Sequence, residues 1–137
     1  MLTPDADTEA DADAFLARTI EGQKSGREFH FAIRDADRQL IGGCGFHDIL
    51  ERHRAEIGNW LARPYWNQGI MTASVQTLSN YGFEQLQLVR MVAHVFQPNR
   101  ASARVLEKCG FQCEGLLRKH FAKEKAFIDV FVYGKIQ

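Results

Sequence analysis

Hydrophobic residues recur along the chain with two different spacings, which divide it into strands and helices. Every second residue is apolar at Phe29, Phe31 and Ile33, which predicts a strand over residues 28–34. Similar apolar patterns predict further strands at residues 40–46, about 55–61, 90–96, 111–121 and 126–136. The first two strands are expected to pair as a hairpin across the turn at residues 35–37.

Apolar residues at helical spacing appear in three other places. A first helix carries Phe15 and Ile20 and is ended by the glycines that follow. A second helix is predicted at residues 69–83, and a third between Asn99 and Gly110. The resulting order, α-β-β-β-α-β-α-β-β, predicts an α/β (α+β) fold in which helices flank a mixed sheet.

Composition narrows the class of protein. The 137 residues are the length of a single domain, expected to span 1–137. Seventeen basic residues balance seventeen acidic ones, so no overall field attracts nucleic acid. Three cysteines without a C-x-x-C pair favour free thiols in a reducing compartment. The first residues do not resemble a signal peptide, and the longest uncharged run, 64–83, is too polar for a membrane span, so we expect a cytoplasmic protein.

Common metal and nucleophile motifs do not occur in the sequence. None of the five histidines lies in an H-E-x-x-H pattern or four residues from another histidine. There is no G-x-S-x-G elbow and no G-x-x-x-x-G-K-[ST] loop. The sequence therefore predicts neither a metal site nor a covalent nucleophile.

Two segments carry the informative patterns. The first, EIGNWLARPYWNQGIMT at residues 56–72, leads from a strand into a helix whose unpaired N–H groups can hold an anion. Gly69 permits close backbone approach there, although an ordinary strand-to-helix turn explains this segment equally well. The second, QPNRASARVLEKCGF at residues 97–111, is explained on its own by an N-cap at Asn99 and a C-cap at Gly110.

Together the two segments resemble the GNAT superfamily of N-acetyltransferases, in its branch of ribosomal-protein N-terminal acetyltransferase-like proteins. Relatives there show E-I-G-x-W-L, then Y-W-x-x-G, then N-x-x-S-x-x-V-L-E-K-x-G-F, and this chain matches them at residues 56–61, 65–69 and 99–111. The tail at residues 127–134 also resembles the family. The resemblance covers roughly residues 8–136 and implies a sheet splayed at one point, with acetyl-CoA inserted in the splay.

The chain departs from the family pattern in two places. The family usually begins with a further strand and helix before the part that matches residues 8–22, and this chain starts too late to hold them. The phosphate loop of the superfamily reads [QR]-x-x-G-x-[GA], but Met71 stands here where a small residue is usual. The second departure bears directly on how tightly a pyrophosphate can be held.

The resemblance assigns a cofactor site to both segments. Asn99 corresponds to the asparagine that hydrogen-bonds the pantetheine arm, and Leu61 and Arg63 would offer backbone groups to the same arm. Arg104 and Lys108, one turn apart on the third predicted helix, could meet the nucleotide phosphate. The residues that would surround the pyrophosphate are Gln68, Gly69, Ile70, Met71 and Thr72.

The implied reaction transfers acetyl directly from a thioester to an amine, so it needs a base, donors for the oxyanion and stabilisation of the thiolate. Glu56, beside the splay by resemblance, is the first choice for the base. His120 is the second, since it fills a place where some relatives carry a catalytic glutamate and an imidazole suits proton transfer. Ser102 resembles the serine whose hydroxyl could donate to the departing thiolate.

The leading function is therefore an acetyl-CoA-dependent N-acetyltransferase whose partner is a protein or peptide N-terminal amine. Two alternatives stay open: acetylation of a small amine such as a polyamine, amino sugar or antibiotic, and a truncated acyl-CoA-binding module without turnover. The edge of the strand containing residues 29–33 lacks the neighbour that the family places beside it. Because unpaired edges invite pairing, we also expect a homodimer.

Overall fold

The sheet contains six strands and mixes parallel and antiparallel neighbours. The structure, a computed structural model, describes residues 26–137, so the predicted first helix lies outside the described residues. The strands are β1 (Phe29–Arg34), β2 (Leu40–Leu50), β3 (Arg54–Leu61), β4 (Arg90–Phe96), β5 (Gln112–Lys123) and β6 (Ala126–Ile136). Their spatial order is β1-β2-β3-β4-β6-β5, with β3 and β4 as the parallel pair.

The six predicted strands are confirmed, and β2 exceeds its predicted length the most. The first turn uses Asp35, whose Oδ1 accepts from the amides of Asp37 and Gln39 at 2.9 Å each. Strand β2 continues four residues past residue 46, with a bulge after His47 and a final pair between Leu50 and Arg54. Polar residues interrupt the apolar alternation there, which is why the pattern ended the strand too early.

Two helices cover one face of the sheet. Helix α1 (Ile70–Glu84) follows β3 after a short 3-10 helix (Arg63–Tyr65) that was not predicted, and α2 (Arg100–Lys108) follows β4. Both helices pack on alternate residues of the central strands. The buried core they share contains Phe46, Ala55, Ile57, Val75, Leu78, Met91, Ala93, Val95, Leu106, Cys109, Phe111 and Tyr133. The intervening strand residues point to the opposite face, on which no described helix lies.

The central parallel pair separates partway along its length. Strands β3 and β4 pair through Arg54–Arg90, Ala55–Met91 and Glu56–Val92, and pairing stops there. Beyond that point β3 stays on β2 as far as the Leu61–Gly42 pair. Strand β4 stays on β6 as far as Phe96–Val130. The sheet is thus splayed between β3 and β4, and the predicted mixed sheet with a splay is confirmed.

None of the helices within residues 26–137 has the length and apolar character required to cross a membrane. The expected cytoplasmic location stays a prediction.

Candidate active site

The splay lies beside the starts of both helices. Helices α1 and α2 follow the two strands that separate, so both begin at the carboxyl ends of the parallel pair. In open α/β sheets, ligands commonly bind outside the carboxyl ends of parallel strands. The residues at the two helix starts and on the two faces of the splay are therefore the candidate site.

The start of α1 leaves its first amide groups without a helical partner. The first helical hydrogen bond runs from the Ala73 amide to the Gly69 carbonyl at 3.1 Å. Within the described chain no side chain caps this helix, and its first turn holds no acid. The amides of Ile70, Met71 and Thr72 consequently form a donor group at the positive end of the helix, suited to an anion.

Gly69 shapes the approach to these amides. Its φ is +77°, in the left-handed region, and a Cβ built on it would have no atom within 4 Å. The space above the backbone is therefore open on the side where a phosphate would approach. Gln68, just before it, donates from Nε2 to the Pro64 carbonyl at 3.0 Å and holds the loop in shape.

Met71 points into the core and not toward the open loop. Its side chain packs against the buried cluster, and its sulfur contacts Nδ2 of Asn59. The large residue at this position thus fills space under the helix, and its backbone amide stays part of the first turn. The side chain of Met71 therefore does not occupy the open space at Gly69.

Asn59 brings a buried polar group to the unpaired part of β3. It is 4% exposed, and its Oδ1 has no hydrogen-bond partner among the described residues. A buried amide oxygen without a hydrogen-bond donor lowers the stability of the folded state, so such groups are rare in native proteins. An oxygen of this kind at the splay is suited to accept from an amide of an inserted ligand.

The start of α2 is capped. Oδ1 of Asn99 accepts from the Ser102 amide at 3.1 Å, so this asparagine is an N-cap, as its sequence position allowed. Its Nδ2 group donates to no described residue and is open to a ligand acceptor. Ser102 is half-buried in the first turn, while Arg104 and Lys108 are exposed along the same helix.

Leu61 and Arg63 use their carbonyls internally. The Leu61 carbonyl accepts from the Trp66 indole at 2.6 Å, and the Arg63 carbonyl accepts from the Trp66 amide at 3.1 Å. Both bonds fix the turn that leads from β3 into α1. Since a carbonyl has two lone pairs, a second bond to a ligand remains open to each.

The opposite face of the splay holds a carboxylate between two imidazoles. Glu56 lies at the last β3–β4 pair, and its Oε1 is 2.6 Å from Nδ1 of His94 on β4. On its other side Nε2 of His47 on β2 lies 3.8 Å from the same oxygen. The exposed fractions of these side chains are 19% for Glu56, 21% for His94 and 30% for His47.

Burial and ion pairing oppose each other in this cluster. Burial would raise the pKa of Glu56, but the two imidazoles outweigh it and lower that pKa to about 2. Burial would lower the pKa of His47, but the Glu56 carboxylate, with Asp48 and Glu28, raises it. Glu56 is therefore a stable anion that can hold a positive charge on its neighbours.

His120 extends the cluster toward β5. Its ring stacks on that of His94, with 6.0 Å between centroids and 14° between planes. The register of β5 on β6 shifts between Leu117 and Phe121, and Lys119 in this bulge has φ +49°. The Lys119 amide donates to Oδ1 of Asp129 at 2.7 Å, which holds the bulge that places His120 beside His94.

Glycines on this face make room for the imidazole rings. A Cβ at Gly58 would come within 2.8 Å of the His47 ring, and one at Gly45 would meet the His30 ring at 2.8 Å. The rings of His30 and His47 stack at 6.5 Å. Gly58 and Gly45 thus leave the space that the His47 and His30 rings occupy.

The structure brings Glu56 and His120 to one face, and it brings the predicted cofactor residues to the helix starts. Sequence reasoning missed His94 and His47. Alternation alone puts His94 on the face opposite Ala93 and Val95, but its contact with Glu56 spans 38 residues and depends on the parallel register. No local pattern reports that register.

Comparison with known proteins identifies the family. The acetyltransferase (GNAT) domain matches residues 1–112. The uncharacterized N-acetyltransferase p20 of Bacillus licheniformis is 38% identical over 120 residues, which are 87% of this chain and 66% of that protein. The chain therefore belongs to the GNAT acetyltransferase family, and it spans just under two thirds of the length of this curated relative.

Two solved structures share the fold. The ribosomal-protein-S5-alanine acetyltransferase from Vibrio fischeri superposes with a TM-score of 0.82 at 26% identity, over 94% of this chain and 72% of that one. The spermidine N-acetyltransferase from Vibrio cholerae, in complex with CoA and spermine, gives 0.81 at 25% identity, over 91% and 75%. The family expected from the two sequence segments is confirmed.

The residues at the splay fit a coenzyme A thioester. Strands β3 and β4 separate after Glu56–Val92, the turn at Gly69 is open, and Asn59 beyond the last β3–β4 pair has a buried acceptor without a donor among the described residues. Within residues 26–137 no three His, Cys, Asp or Glu side chains are grouped so that they could hold a metal ion.

Proposed function

We propose that this chain is an acetyl-CoA-dependent N-acetyltransferase that acetylates a primary amine, a protein or peptide N-terminal amine in the first place. One observation carries the proposal: the splay has helix amides on one face and a Glu56–His94–His120 cluster on the other. The first face suits an anionic thioester, and the second suits an ammonium that must lose a proton. Both meet at the same gap in the sheet.

The helix-bearing face would bind and orient the cosubstrate. The amides of Ile70, Met71 and Thr72 would hold the pyrophosphate, with Gln68 and Gly69 shaping the loop. Nδ2 of Asn99 and the backbone of Leu61 and Arg63 would meet the pantetheine arm. Arg104 and Lys108 would face the nucleotide phosphate. When bound, acetyl-CoA supplies the activated acetyl group.

Ser102 would assist the leaving sulfur. Its amide donates to Oδ1 of the Asn99 cap at 3.1 Å, which places the residue in the first turn of α2. A hydroxyl held there can donate to a developing thiolate, and the adjacent helix end favours negative charge. No covalent enzyme intermediate is needed.

The activities of two structural neighbours support a primary amine as the acceptor. One solved neighbour is described as acting on ribosomal protein S5 and another on spermidine. The resemblance of the sequence to the ribosomal-protein branch favours the N-terminal amine. The likeness to the spermidine enzyme, equal in TM-score to within 0.01, makes a polyamine the second candidate.

A panel of amines tests the function. The full chain is incubated with acetyl-CoA and, separately, with a peptide bearing a free N-terminal alanine or serine, with spermidine and with glucosamine. Released thiol is measured, and mass spectrometry locates the added acetyl group. We expect thiol release that depends on the peptide amine. Coenzyme A binding with no thiol release for any amine would favour a binding module and contradict the proposal.

We also propose a homodimer through the outer edge of β1. Within the described residues β1 pairs only with β2, so its other edge offers backbone groups to a second chain. Phe31, 39% exposed, packs edge-on against Tyr81 at 5.4 Å and is therefore a poor place for a disruptive charge. Sedimentation of the wild type and of Ala32→Lys tests the contact: a wild-type monomer at micromolar concentration would contradict it.

A further inference from the structure

The splay holds one imidazole at its mouth that the sequence did not single out. His94 lies two residues beyond Val92, the last residue of β4 that pairs with β3. Its side chain shares a face with Glu56, because residues two apart on a strand point the same way. The side chain is 21% exposed, so a ligand can reach it.

The contact with Glu56 fixes which nitrogen of His94 is available. A carboxylate can only accept a hydrogen bond, so Nδ1 of His94 donates to Oε1 across the 2.6 Å contact. In the neutral ring Nε2 then carries the lone pair. Glu56 is the one hydrogen-bond partner of His94 among residues 26–137. Nε2 is thus left for a ligand.

Glu56 itself is poorly suited to take a proton. Two imidazoles surround its carboxylate and hold its pKa at about 2, far below that of an alkylammonium. A carboxylate whose pKa is lowered in this way is a weaker acceptor for an ammonium proton than a neutral imidazole. The same carboxylate is well suited to orient an imidazole and to stabilise the imidazolium that forms.

We propose that His94 is the catalytic base that accepts the proton of the acceptor amine, and that Glu56 is a positioning residue that acts through it. This inference rests on the proposed function and changes which residue of the cluster touches the substrate. It also gives His120 a secondary place, stacked on the base.

The proton and bond changes balance. The ammonium nitrogen gives one proton to Nε2 of His94, and the Glu56 carboxylate holds the resulting positive ring. The freed lone pair forms the N–C bond to the thioester carbonyl, and the C–S bond breaks with its electron pair on sulfur. The second N–H proton passes to that sulfur, through the Ser102 hydroxyl or water. The proton on His94 then returns to solvent.

The titratable groups near His94 come from three strands, of which only β3 pairs with β4. Glu56 lies on β3, His47 lies behind it on β2, and His120 stacks from β5. Strand β6 places Val132 opposite His94, and valine has no titratable group. The open depression beside His120 is lined by Leu116, Leu117, Arg118, Lys119 and Asp129.

The experiment compares His94→Gln with His120→Gln and with His53→Gln, a matched control at an exposed turn outside the site. Each variant is assayed with acetyl-CoA and the N-terminal peptide at pH 6.5 and pH 9, and its affinity for coenzyme A is measured by calorimetry. At pH 6.5 we expect His94→Gln to lower kcat/KM at least about 100-fold, the usual range for a lost general base. Coenzyme A affinity should stay within about twofold, since the base lies on the other face.

The pH dependence separates a lost base from a damaged site. A peptide α-amine has a pKa of about 8, so at pH 9 most of it is already neutral and needs no base. The rate deficit of His94→Gln should therefore shrink at least about tenfold between pH 6.5 and pH 9. A deficit that is the same at both values would mean that His94 is only structural, and would overturn the assignment.

Glu56→Gln tests the positioning role by a readout independent of turnover. In the wild type, ¹⁵N NMR of His94 should show the tautomer with the proton on Nδ1, and Glu56→Gln should mix the two tautomers. Full activity of His94→Gln, or a pH-dependent deficit in His120→Gln alone, would overturn this inference and leave the proposed function intact. Absence of amine-dependent thiol release by the wild type would overturn the proposed function itself.

Discussion

The two faces of the splayed sheet are built from different kinds of groups. The face under α1 and α2 is apolar except near the gap, where the first amides of α1 have no helical partner and the buried Oδ1 of Asn59 has no donor among the described residues. The opposite face carries Glu56 and a row of imidazoles on four neighbouring or nearby strands. Fixed dipoles and titratable side chains are thus separated by one layer of backbone.

The difference matters because the two halves of the reaction need different chemistry. Binding an anionic thioester calls for donors that stay in place at any pH, and backbone amides provide them. Accepting a proton calls for a group that changes charge near neutral pH, and imidazole does so. Changes on the helix face should therefore alter coenzyme A affinity, and changes on the histidine face should alter pH dependence.

The largest expected effect on stability is on the histidine face, at Glu56→Gln. The lowered pKa of Glu56 gives stability that is present above pH 4.5 and lost as the pH falls toward about 2. The raised pKa of His47 gives stability that is present below pH 6.5 and lost as the pH rises through the folded value. The free energy of unfolding of the wild type should exceed that of Glu56→Gln by on the order of 2 kcal/mol near pH 5.5. The difference should be smaller at lower and at higher pH.

Urea unfolding at pH 3, 5.5 and 8 measures this curve, and Glu114→Gln provides the control. Glu114 pairs with Arg90 at 2.5 Å in a more exposed position, where the Glu114 side chain is 36% exposed and that of Arg90 is 31% exposed. Because arginine stays charged, the difference in free energy of unfolding between the wild type and Glu114→Gln should not fall above about pH 6.5. This difference should be below about 1 kcal/mol. A Glu56→Gln difference that is flat from pH 3 to pH 8 would show that Glu56 gains nothing from its imidazoles.

The next effect is on the helix face, at Gly69. A methyl group there would stand in the open space above the amides of α1, so we expect Gly69→Ala to weaken coenzyme A binding about tenfold, or about 1.4 kcal/mol. The left-handed backbone also makes alanine cost about 1 kcal/mol in folding. Gly26→Ala is a matched control, with φ +74° and no atom within 4 Å of its Cβ. Equal affinities of the two variants for coenzyme A in calorimetry would refute the phosphate role of the Gly69 turn.

Much of the helix face was predictable, and little of the histidine face was. Strand β4 begins and ends where its alternation predicts, and Asn99 caps α2 as its residue type and position suggest. These features depend on near neighbours in the chain. The contacts of Glu56 with His47 and His94 depend on antiparallel and parallel registers between separate strands. The splay was predicted only from the resemblance to a family, because no periodic pattern of apolar residues indicates where the pairing of two strands stops.

The smallest expected effect separates the two uses of Asn99. Its Oδ1 caps α2 through the Ser102 amide, so Asn99→Ala should destabilise the fold by about 1 kcal/mol. Serine caps helices about as well as asparagine but cannot place an amide donor where Nδ2 lies. We therefore expect Asn99→Ser to keep the wild-type melting temperature and to bind coenzyme A about threefold more weakly, within the range of one lost hydrogen bond. Thermal unfolding and calorimetry on both variants make the comparison. If Asn99→Ser binds like the wild type while Asn99→Ala does not, the cap alone accounts for Asn99, and the pantetheine contact is wrong.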